Sequence, residues 1–368
     1  RRQRQMCIRD STKIEPLAGD NTRRLKGSGA GYFGMYNRNK RSLCVDLKSA
    51  QGADLARELA TSADVLVENF RPGAMGALGF GYEALSADNP GLIYCSAKGF
   101  LSGPYEHRTA LDEVTQMMGG LAYMTGPPGQ PLRAGSSVID ITGGMFGVIG
   151  ILAALEERHR TGHGQHVTSA LFETTAFLVG QHMAQEAALG EIPPPMSVRR
   201  SAWAVYDIFE TADGEKVFVG IVSDTQWQAF CEAFGFSDLA ADESLAANNG
   251  RVAARDRLLP IIADCFSALD QRSLMDRLDA IGLPFAAIAR PHDLVDDPHL
   301  NAGDGLLPVE LPGGQRTRLP ALPLEFSGSR PGLRRQVPGE GADADEVLGE
   351  MGLSAAQIHS LREQGVIR

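Results

Sequence analysis

A signature of strand, turn and helix lies in the first quarter of the chain: Asp64-Val65-Leu66-Val67-Glu68-Asn69-Phe70-Arg71-Pro72-Gly73. The apolar run from 64 to 69 predicts a buried strand, and Pro72 suits the first turn of a following helix. Ligands of open α/β sheets bind at the carboxyl ends of strands, so Arg71 and the free amides nearby suit an anion. A helix start with a surface arginine explains the same residues equally well.

The flanking segments repeat this alternation. Residues 43–47 and 92–96 are predicted to be strands, and residues 50–63 are predicted to form a helix because leucine and alanine recur there at helical spacing. Alternating strands and helices predict a parallel α/β sheet. A long helix is predicted from Asp140 to about Arg158, and a second over residues 167–190.

The run Pro193-Pro194-Pro195 is the best candidate for a linker. Beyond it, residues 204–210 and 216–222 read as two strands, and the Asp213-Gly214 turn between them predicts a hairpin. Helices are expected from there to about residue 280, strand-like pieces over 309–322, and a helical tail over 343–361. We therefore expect a large domain over 13–195, a small domain over 200–300, and a return to the large domain over 301–368.

The composition is that of an ordinary globular protein, and it limits the classes of partner. Of 368 residues, 43% are hydrophobic and 22% charged, and the formal net charge is −10. An acidic chain argues against nucleic acid and anionic membranes as partners. No uninterrupted apolar run of about 18 residues is present, and Arg1 to Thr12 lack the apolar stretch that export requires. Five scattered cysteines fit a reducing cytoplasm and argue against a zinc site or disulfide framework: Cys7, Cys44, Cys95, Cys231 and Cys265.

Two glycine-rich or basic segments could bind phosphates. Residues 29–34 match the pattern G-x-G-x-x-G, but no predicted strand precedes them and too few residues follow for a crossover helix. A dinucleotide site is therefore not expected there. The cluster Asn37-Arg38-Asn39-Lys40-Arg41, joined by Lys48, reads either as a solvated turn or as a group that contacts phosphates.

Asp140 precedes a long apolar helix, where an aspartate is most often the N-cap. The same position would keep its carboxylate ionised and exposed to a ligand, and Gly143 and Gly144 would allow a substrate to approach the backbone. Other nucleophiles are missing, because the sequence contains neither G-x-S-x-G nor H-E-x-x-H. Three histidines in a basic turn are expected to be solvated: His159, His163 and His166.

Five short segments carry a family resemblance: Lys13-Ile14-Glu15-Pro16, Asn39-Lys40-Arg41-Ser42, Val67 to Gly73, Gly103-Pro104-Tyr105 and Arg160-Thr161-Gly162-His163-Gly164-Gln165. With these segments, the chain from Lys13 onward resembles the family III CoA-transferases, also called the CaiB/BaiF family. This group includes formyl-CoA transferase, carnitine CoA-transferase and α-methylacyl-CoA racemase. Each segment is weak alone, but together they are collinear over nearly the whole chain.

The resemblance implies a Rossmann-like large domain built from both ends of the chain, a smaller α+β domain between, and an interlocked homodimer. It implies that Asp140 attacks an acyl-CoA, and that CoA is a substrate, with no permanently bound cofactor and no metal. Matching positions imply a CoA site lined by Val45, Asp46, Leu47, Lys48, Asn69, Phe70 and Arg71, with Arg38 nearby.

Departures from the family pattern refine this expectation. Leu111 stands where the racemases have a catalytic histidine, so a transferase is favoured over an isomerase. The strand and helix that usually precede Lys13 have no counterpart in residues 1–12, which leaves an inactive CoA-binding homologue as a further alternative. A glycine-rich loop of formyl-CoA transferase is missing after Arg200, which argues against formate and oxalate. A dicarboxylate such as mesaconate or succinate is suggested by His107, Arg108 and Arg133.

Overall fold

The computed structural model describes residues 11–199 and 201–368. Of the segment 1–12, only its last two residues are therefore described, and Cys7 lies outside the described residues. The chain divides into two compact units, with boundaries after Val198 and after Leu300. The first unit contains both ends of the described chain, and the second is Arg199–Leu300.

Parallel strands form the framework of the first unit. β1 (Ser11–Glu15) pairs with β2 (Lys40–Cys44), and both run in the same direction. A second parallel sheet has the order β3 (Val65–Glu68), β4 (Ile93–Lys98) and β5 (His166–Ala170). The predicted α/β class with parallel sheets is confirmed. The strand expected over 43–47 ends earlier, because the backbone turns away after Cys44 and Val45 makes only an isolated bridge.

Helices separate these strands in the order that the sequence predicts. The helix expected over 50–63 is present at Ala50–Ser62, and it begins where the Ser49 hydroxyl accepts a hydrogen bond from the Gly52 amide. The remaining helices of the first half of this unit are short. In chain order, the helices up to residue 125 are α1 (Tyr32–Tyr36), α2 (Ala50–Ser62), α3 (Ala74–Ala77), α4 (Tyr82–Asp88), α5 (Asp112–Met118) and α6 (Leu121–Thr125).

Two long helices follow, α7 (Val138–Thr161) and α8 (Leu171–Leu189). The single helix predicted over 167–190 is wrong at its start, because residues 167–170 belong to β5 and hydrogen-bond to β4. Pairing with a distant strand overrides the local helical pattern there. By length and composition α7 could cross a membrane, and only 22% of its apolar stretch is buried within the chain.

The end of the chain packs on its beginning. β9 (Leu306–Glu310) and β10 (Arg316–Pro320) form an antiparallel pair, followed by α15 (Ala344–Glu350) and α16 (Ala355–Glu363). Apolar residues from β2 and both terminal helices share one core cluster: Leu43, Val45, Leu55, Val347, Leu348, Ile358 and Ile367. The first unit is therefore completed only when residues about 300 positions apart meet.

The second unit contains an antiparallel sheet with the order β6 (Tyr206–Glu210), β7 (Lys216–Gly220) and β8 (Phe285–Ala287). The predicted hairpin is present, and Gly214 adopts the positive φ of 77° that its turn requires. The core is aromatic and centres on the fully buried Trp227, Phe230 and Phe266. The helices after Val198 and before the terminal pair are α9 (Asp224–Phe234), α10 (Ser237–Ala241), α11 (Asn248–Ala253), α12 (Arg255–Ser267), α13 (Gln271–Ala280) and α14 (Pro298–Ala302), the last of which extends past the unit boundary.

Candidate functional site

Asp140 lies inside the first turn of α7 rather than in front of it. The helix begins at Val138, and Ser137 occupies the N-cap position without forming a side-chain cap. The prediction that Asp140 is the N-cap is therefore wrong. Its carboxylate is not bound to a helix amide as a cap would be, and it is free to face solvent and a ligand.

Two charged neighbours act on the Asp140 carboxylate. Although the residue is exposed, protein around it removes water from the carboxylate and raises its pKa, and the negative charge of Asp112 raises that pKa further. Arg133 acts in the opposite direction. The expectation that the helix start would favour ionisation is thus outweighed by desolvation and by a like charge. A carboxylate of raised basicity beside a guanidinium is suited to attack an activated acyl group.

Two tyrosines of α1 belong to the same neighbourhood, although they were not among the predicted site residues. The Tyr32 hydroxyl lies 3.2 Å from the Ser137 hydroxyl oxygen at the start of α7. Burial raises the pKa of Tyr36, and the charges of Tyr32 and Asp140 add to this effect. Helix α1, which begins inside the segment that matches G-x-G-x-x-G, therefore carries one tyrosine near the start of α7 and one that feels the charge of Asp140. The residues there were weighed only as a dinucleotide-binding pattern, so the two tyrosines were not predicted as site residues.

The paired glycines after Asp140 have different environments. A side chain at Gly143 would meet Leu171 at 3.1 Å, so this glycine allows α8 to pack closely on α7. Gly144 has no atom within 4 Å of the place where a side chain would be. Only Gly144 thus leaves the space for a close approach that was expected of both.

The loop after β3 presents three of the residues predicted to bind CoA. Asn69, Phe70 and Arg71 are exposed. The loop is held from beneath by Glu68, whose Oε2 accepts the Phe70 N–H at 2.8 Å, and by Lys98, whose Nζ donates to the Phe70 carbonyl at 2.8 Å. This short segment at the carboxyl end of a parallel strand is therefore anchored while its side chains remain accessible.

Glu68 and Lys98 also bind each other inside the sheet. Lys98 Nζ lies 2.6 Å from Glu68 Oε1, and the Ser96 hydroxyl donates to the same oxygen at 2.6 Å. The Glu68 and Lys98 side chains are 3% and 17% exposed. Neither residue was predicted to act at the site, although a charged residue at the end of each of two adjacent buried strands is a signal that could have identified the pair.

His166 contacts this group; it is exposed, as expected, but it lies at the start of β5 rather than in a turn. Its Nε2 lies 2.9 Å from the Ser96 hydroxyl, and its ring stacks on Tyr82 with 5.3 Å between ring centroids. Burial lowers its pKa. His159 and His163 are exposed, as predicted.

The turn after β2 contributes less to the surface than its residues suggested. The Val45 side chain is buried in the core cluster with Ile367, so it does not add to an exposed CoA-binding surface, and the assignment of Val45 to the CoA site stays a prediction. Leu47 is partly buried against two core clusters. Asp46 Oδ1 accepts the Lys48 N–H at 3.0 Å and thereby shapes the turn, and Lys48 itself is exposed.

Arg38 follows α1 closely and is partly buried. One guanidinium nitrogen donates to the Pro320 carbonyl at 2.8 Å. The other, Nη1, is buried and has no hydrogen-bond partner among the described residues. Burial lowers the pKa of this guanidinium. The predicted contact of Arg38 with CoA stays a prediction.

The three residues suggested for the acid substrate are not brought together. Arg133 reaches the surroundings of Asp140. The Arg108 guanidinium instead stacks on Tyr105, 5.0 Å from the ring centroid. His107 is exposed and pairs with its neighbour Glu106 at 3.1 Å. Only Arg133 is thus placed to act on the Asp140 carboxylate. Within residues 11–199 and 201–368, no group of three His, Cys, Asp or Glu could hold a metal ion.

Known proteins resemble the chain in sequence and in fold. The sequence profile of CoA-transferase family III matches residues 10–344, and the match begins inside the segment 1–12 that was expected to lie outside the family pattern. The chain is 34% identical to a succinyl-CoA:mesaconate CoA-transferase of Haloarcula hispanica, over 88% of this chain and 82% of that protein. It is 32% identical to a succinate–glutarate CoA-transferase of Agrobacterium fabrum, over 93% and 88%.

Among solved structures, the chain is similar to a CaiB/BaiF family protein from Brucella suis. The TM-score is 0.79 at 32% identity, and the superposition covers 93% of this chain and 92% of that one. The resemblance found in short motifs thus extends to the three-dimensional arrangement.

Proposed function

The chain belongs to CoA-transferase family III, and we propose that it moves CoA between an acyl-CoA and a carboxylic acid through covalent intermediates on Asp140. The observation that carries the proposal is the exposed Asp140 carboxylate in the first turn of α7, with a raised pKa and Arg133 beside it. In its ionised form this carboxylate can act as a nucleophile.

The reaction proceeds in four steps that balance. An Asp140 oxygen attacks the thioester carbonyl carbon, and the carbon–sulfur bond breaks to release CoA thiolate and leave an acyl–aspartyl anhydride. The thiolate attacks the aspartyl carbonyl and expels the first acid, which leaves an aspartyl-CoA thioester. The acceptor carboxylate displaces the thiolate to give a second anhydride. The thiolate then attacks the acceptor's acyl carbon, and Asp140 is regenerated.

Arg133 is the cation nearest to this chemistry. Its charge opposes the negative charge that accumulates as the tetrahedral intermediates form. The amides of Ile139 and Asp140 are occupied by Asp112 at 2.9 and 3.2 Å, so they do not serve as oxyanion donors.

The central test is the replacement of Asp140. Asp140→Ala and Asp140→Asn should reduce exchange of labelled CoA between acids by at least about 10³-fold, because the covalent route is lost. Hydroxylamine added with acyl-CoA should form a hydroxamate on the peptide that contains Asp140 in the unchanged protein alone. Glu113→Gln, an exposed carboxylate in α5, serves as the matched control. Full exchange by Asp140→Ala would refute the proposal.

The same assay separates the alternatives. Leu111 is 66% exposed and directly precedes Asp112, and its alkyl side chain cannot carry a proton. In D2O the protein should therefore leave the α-hydrogen of a 2-methylacyl-CoA in place, whereas an isomerase would incorporate deuterium. Binding of CoA without exchange between any pair of acids would identify a CoA-binding homologue without activity.

For the acids we propose dicarboxylates of four or five carbons, such as succinate and mesaconate. Support comes from the named activities of the two relatives and from Arg133, which could accept a second carboxylate. Labelled succinyl-CoA should transfer its CoA to mesaconate or glutarate faster than to acetate. Equal rates with monocarboxylates would contradict this assignment.

We also propose that two copies form a homodimer through α7 and α8, with the interlocked arrangement that the family resemblance implies. Both helices expose large apolar side chains that a free surface rarely carries together: Met145, Val148, Ile149, Leu152, Phe177 and Met183. Light scattering after gel filtration should give twice the chain mass, and Ile149→Glu should shift it toward the monomer. A monomeric unchanged protein that floats with lipid vesicles would show that this face binds membranes instead.

A cytoplasmic location is part of the same proposal. The described cysteines are free, and those in the first unit, Cys44 and Cys95, are buried within the parallel strands β2 and β4. Free buried thiols are typical of reducing compartments. Fractionation of the native cell should recover the protein with cytoplasmic markers.

A further inference from the structure

The first turn of α7 is capped by a side chain from a different helix. Ser137 occupies the N-cap position but provides no side-chain hydrogen bond. Instead, Asp112 Oδ2 accepts the backbone N–H of Ile139 at 2.9 Å and of Asp140 at 3.2 Å. These are among the amides that a helix cannot satisfy itself, so α5 supplies what the sequence next to α7 does not.

The second oxygen of Asp112 binds the segment that leads into the helix. Its Oδ1 accepts a hydrogen bond from Gln116 Nε2 at 2.5 Å and lies 3.5 Å from Arg133 Nη2. Gln116 is fully buried, and its Oε1 accepts the Ala134 N–H at 2.8 Å. Asp112 is only 7% exposed. One buried carboxylate therefore joins the backbone that carries Asp140 to the arginine that faces it.

We propose that Asp112 is a positioning residue of the transfer reaction, which fixes the backbone of Asp140 and keeps a negative charge behind it. The inference rests on the proposed role of Asp140 as the nucleophile. Asp112 itself touches no substrate and acts only through Asp140 and Arg133.

The charge of Asp112 affects the reactivity of Asp140, in addition to the position of its backbone. The charges of Asp112 from α5 and Arg133 from the preceding segment act on the Asp140 carboxylate, and the charge of Asp140 acts on Tyr36 from α1. Tyr32 from α1 contacts Ser137 at the start of α7. A negative charge behind a carboxylate makes it more basic, and a more basic oxygen is a better nucleophile as long as it stays ionised at the working pH. Arg133 limits the effect. Asp112 and Arg133 thus set the reactivity of Asp140 from opposite sides.

The test is Asp112→Asn, which keeps the size and one acceptor oxygen but removes the charge. Since attack requires ionised Asp140, activity rises with pH through the pKa of Asp140. Loss of the Asp112 charge lowers that pKa, so the acid limb of the kcat profile should move to lower pH. We expect kcat at neutral pH to fall by roughly 100-fold, the effect of a slightly misplaced reacting group, with the KM for acyl-CoA changed less than about three-fold.

Two further variants keep the inference open to refutation. Arg133→Gln should move the acid limb in the opposite direction, to higher pH, and it carries the electrostatic test if Asp112→Asn does not fold. Asp112→Glu keeps the charge and should restore the position of the acid limb, while its longer side chain leaves kcat low. Glu113→Gln, the exposed neighbour of Asp112, should behave as the unchanged protein.

The outcomes separate this inference from the proposed function. If Asp140→Ala abolishes exchange but Asp112→Asn leaves kcat and the acid limb unchanged, Asp112 has no positioning role and the covalent route stands. Asp112 also has no positioning role if Asp112→Asn lowers only the thermal midpoint, since a purely structural group would not move a pH profile. If Asp140→Ala keeps full exchange, the proposed function and the inference both fail.

Discussion

Lys98 and Glu68 hold the loop that presents Phe70, and replacing Lys98 by methionine tests how much this pair contributes. The ammonium makes close contacts with both carboxylate oxygens, at 2.6 and 2.8 Å, and donates to the Phe70 carbonyl. Methionine keeps most of the apolar stem but leaves the Glu68 carboxylate, 3% exposed, without its cation.

The magnitude follows from what remains bound to Glu68. Removing one partner of a buried pair costs about 3–5 kcal/mol, because the other charge stays buried without compensation. Glu68 retains hydrogen bonds from the Ser96 hydroxyl at 2.6 Å and from the Phe70 amide at 2.8 Å. We therefore expect Lys98→Met to lower the free energy of unfolding by about 3 kcal/mol, the lower end of that range.

Urea titrations at neutral pH measure this loss, with Arg272→Met as the control. Arg272 pairs with Asp276 at 4.0 Å and is 92% exposed, so its replacement should change stability by less than about 0.5 kcal/mol. The double variant Glu68→Gln with Lys98→Met removes both charges and should recover at least half of the loss. The loop loses its anchor in every variant of Lys98, so the KM for acyl-CoA should rise several-fold.

A loss below about 1 kcal/mol for Lys98→Met would overturn the expected role of this ion pair, since a buried pair would then behave like a surface pair. A double variant less stable than Lys98→Met would contradict the assignment of the cost to the unpaired carboxylate. Unchanged KM values would mean that the loop does not contribute to binding of the acyl-CoA.

Gly164→Ala should destabilise the protein by about 3 kcal/mol or more, because a side chain there would lie 2.0 Å from the Leu92 carbonyl oxygen. Gly162→Ala should cost about 1 kcal/mol, because this residue has a φ of 78° but open space around it. Equal losses of stability in thermal or urea unfolding would contradict this difference. Asp20 should make the stability of the folded protein sensitive to acid. Burial favours its protonated form, yet hydrogen bonds from Lys13 and its own loop lower its pKa to about 2. Its stabilisation is complete above its ordinary pKa near 3.8 and is lost as the pH falls toward 2, so Lys13→Met should cost more stability at pH 6 than at pH 2.5; a pH-independent cost would be evidence against the pairing.

The sequence predicted those features whose cause is local. The helix at Ala50–Ser62 follows from apolar spacing and the serine before it, and the hairpin of β6 and β7 follows from Asp213-Gly214. The parallel strands β3 and β4 were expected from their apolar runs between helices. Short-range periodicity and turn chemistry are enough for such elements, because neighbouring residues make the contacts that decide them.

Two expectations that differ from the structure share one cause. Val45 was expected to line a CoA site, but its side chain is buried in a cluster that includes Ile367, a residue from the other end of the chain. The strand β5 was read as helix because its partner β4 is far away in sequence. Local patterns carry no information on such distant partners, so these differences could not be found without the tertiary structure.

The amino-acid sequence alone thus determined the α/β class and the family membership suggested by the motifs, and it led to the prediction of Asp140 as the nucleophile. Only the tertiary structure decided which groups surround that carboxylate and in which direction they shift its pKa. Asp112 lies 28 residues earlier, yet its oxygen accepts the amides at the start of α7, and Tyr36 arrives from α1. The physical reason is that pKa and nucleophilicity depend on charges and solvent within a few ångströms, whatever their distance along the chain.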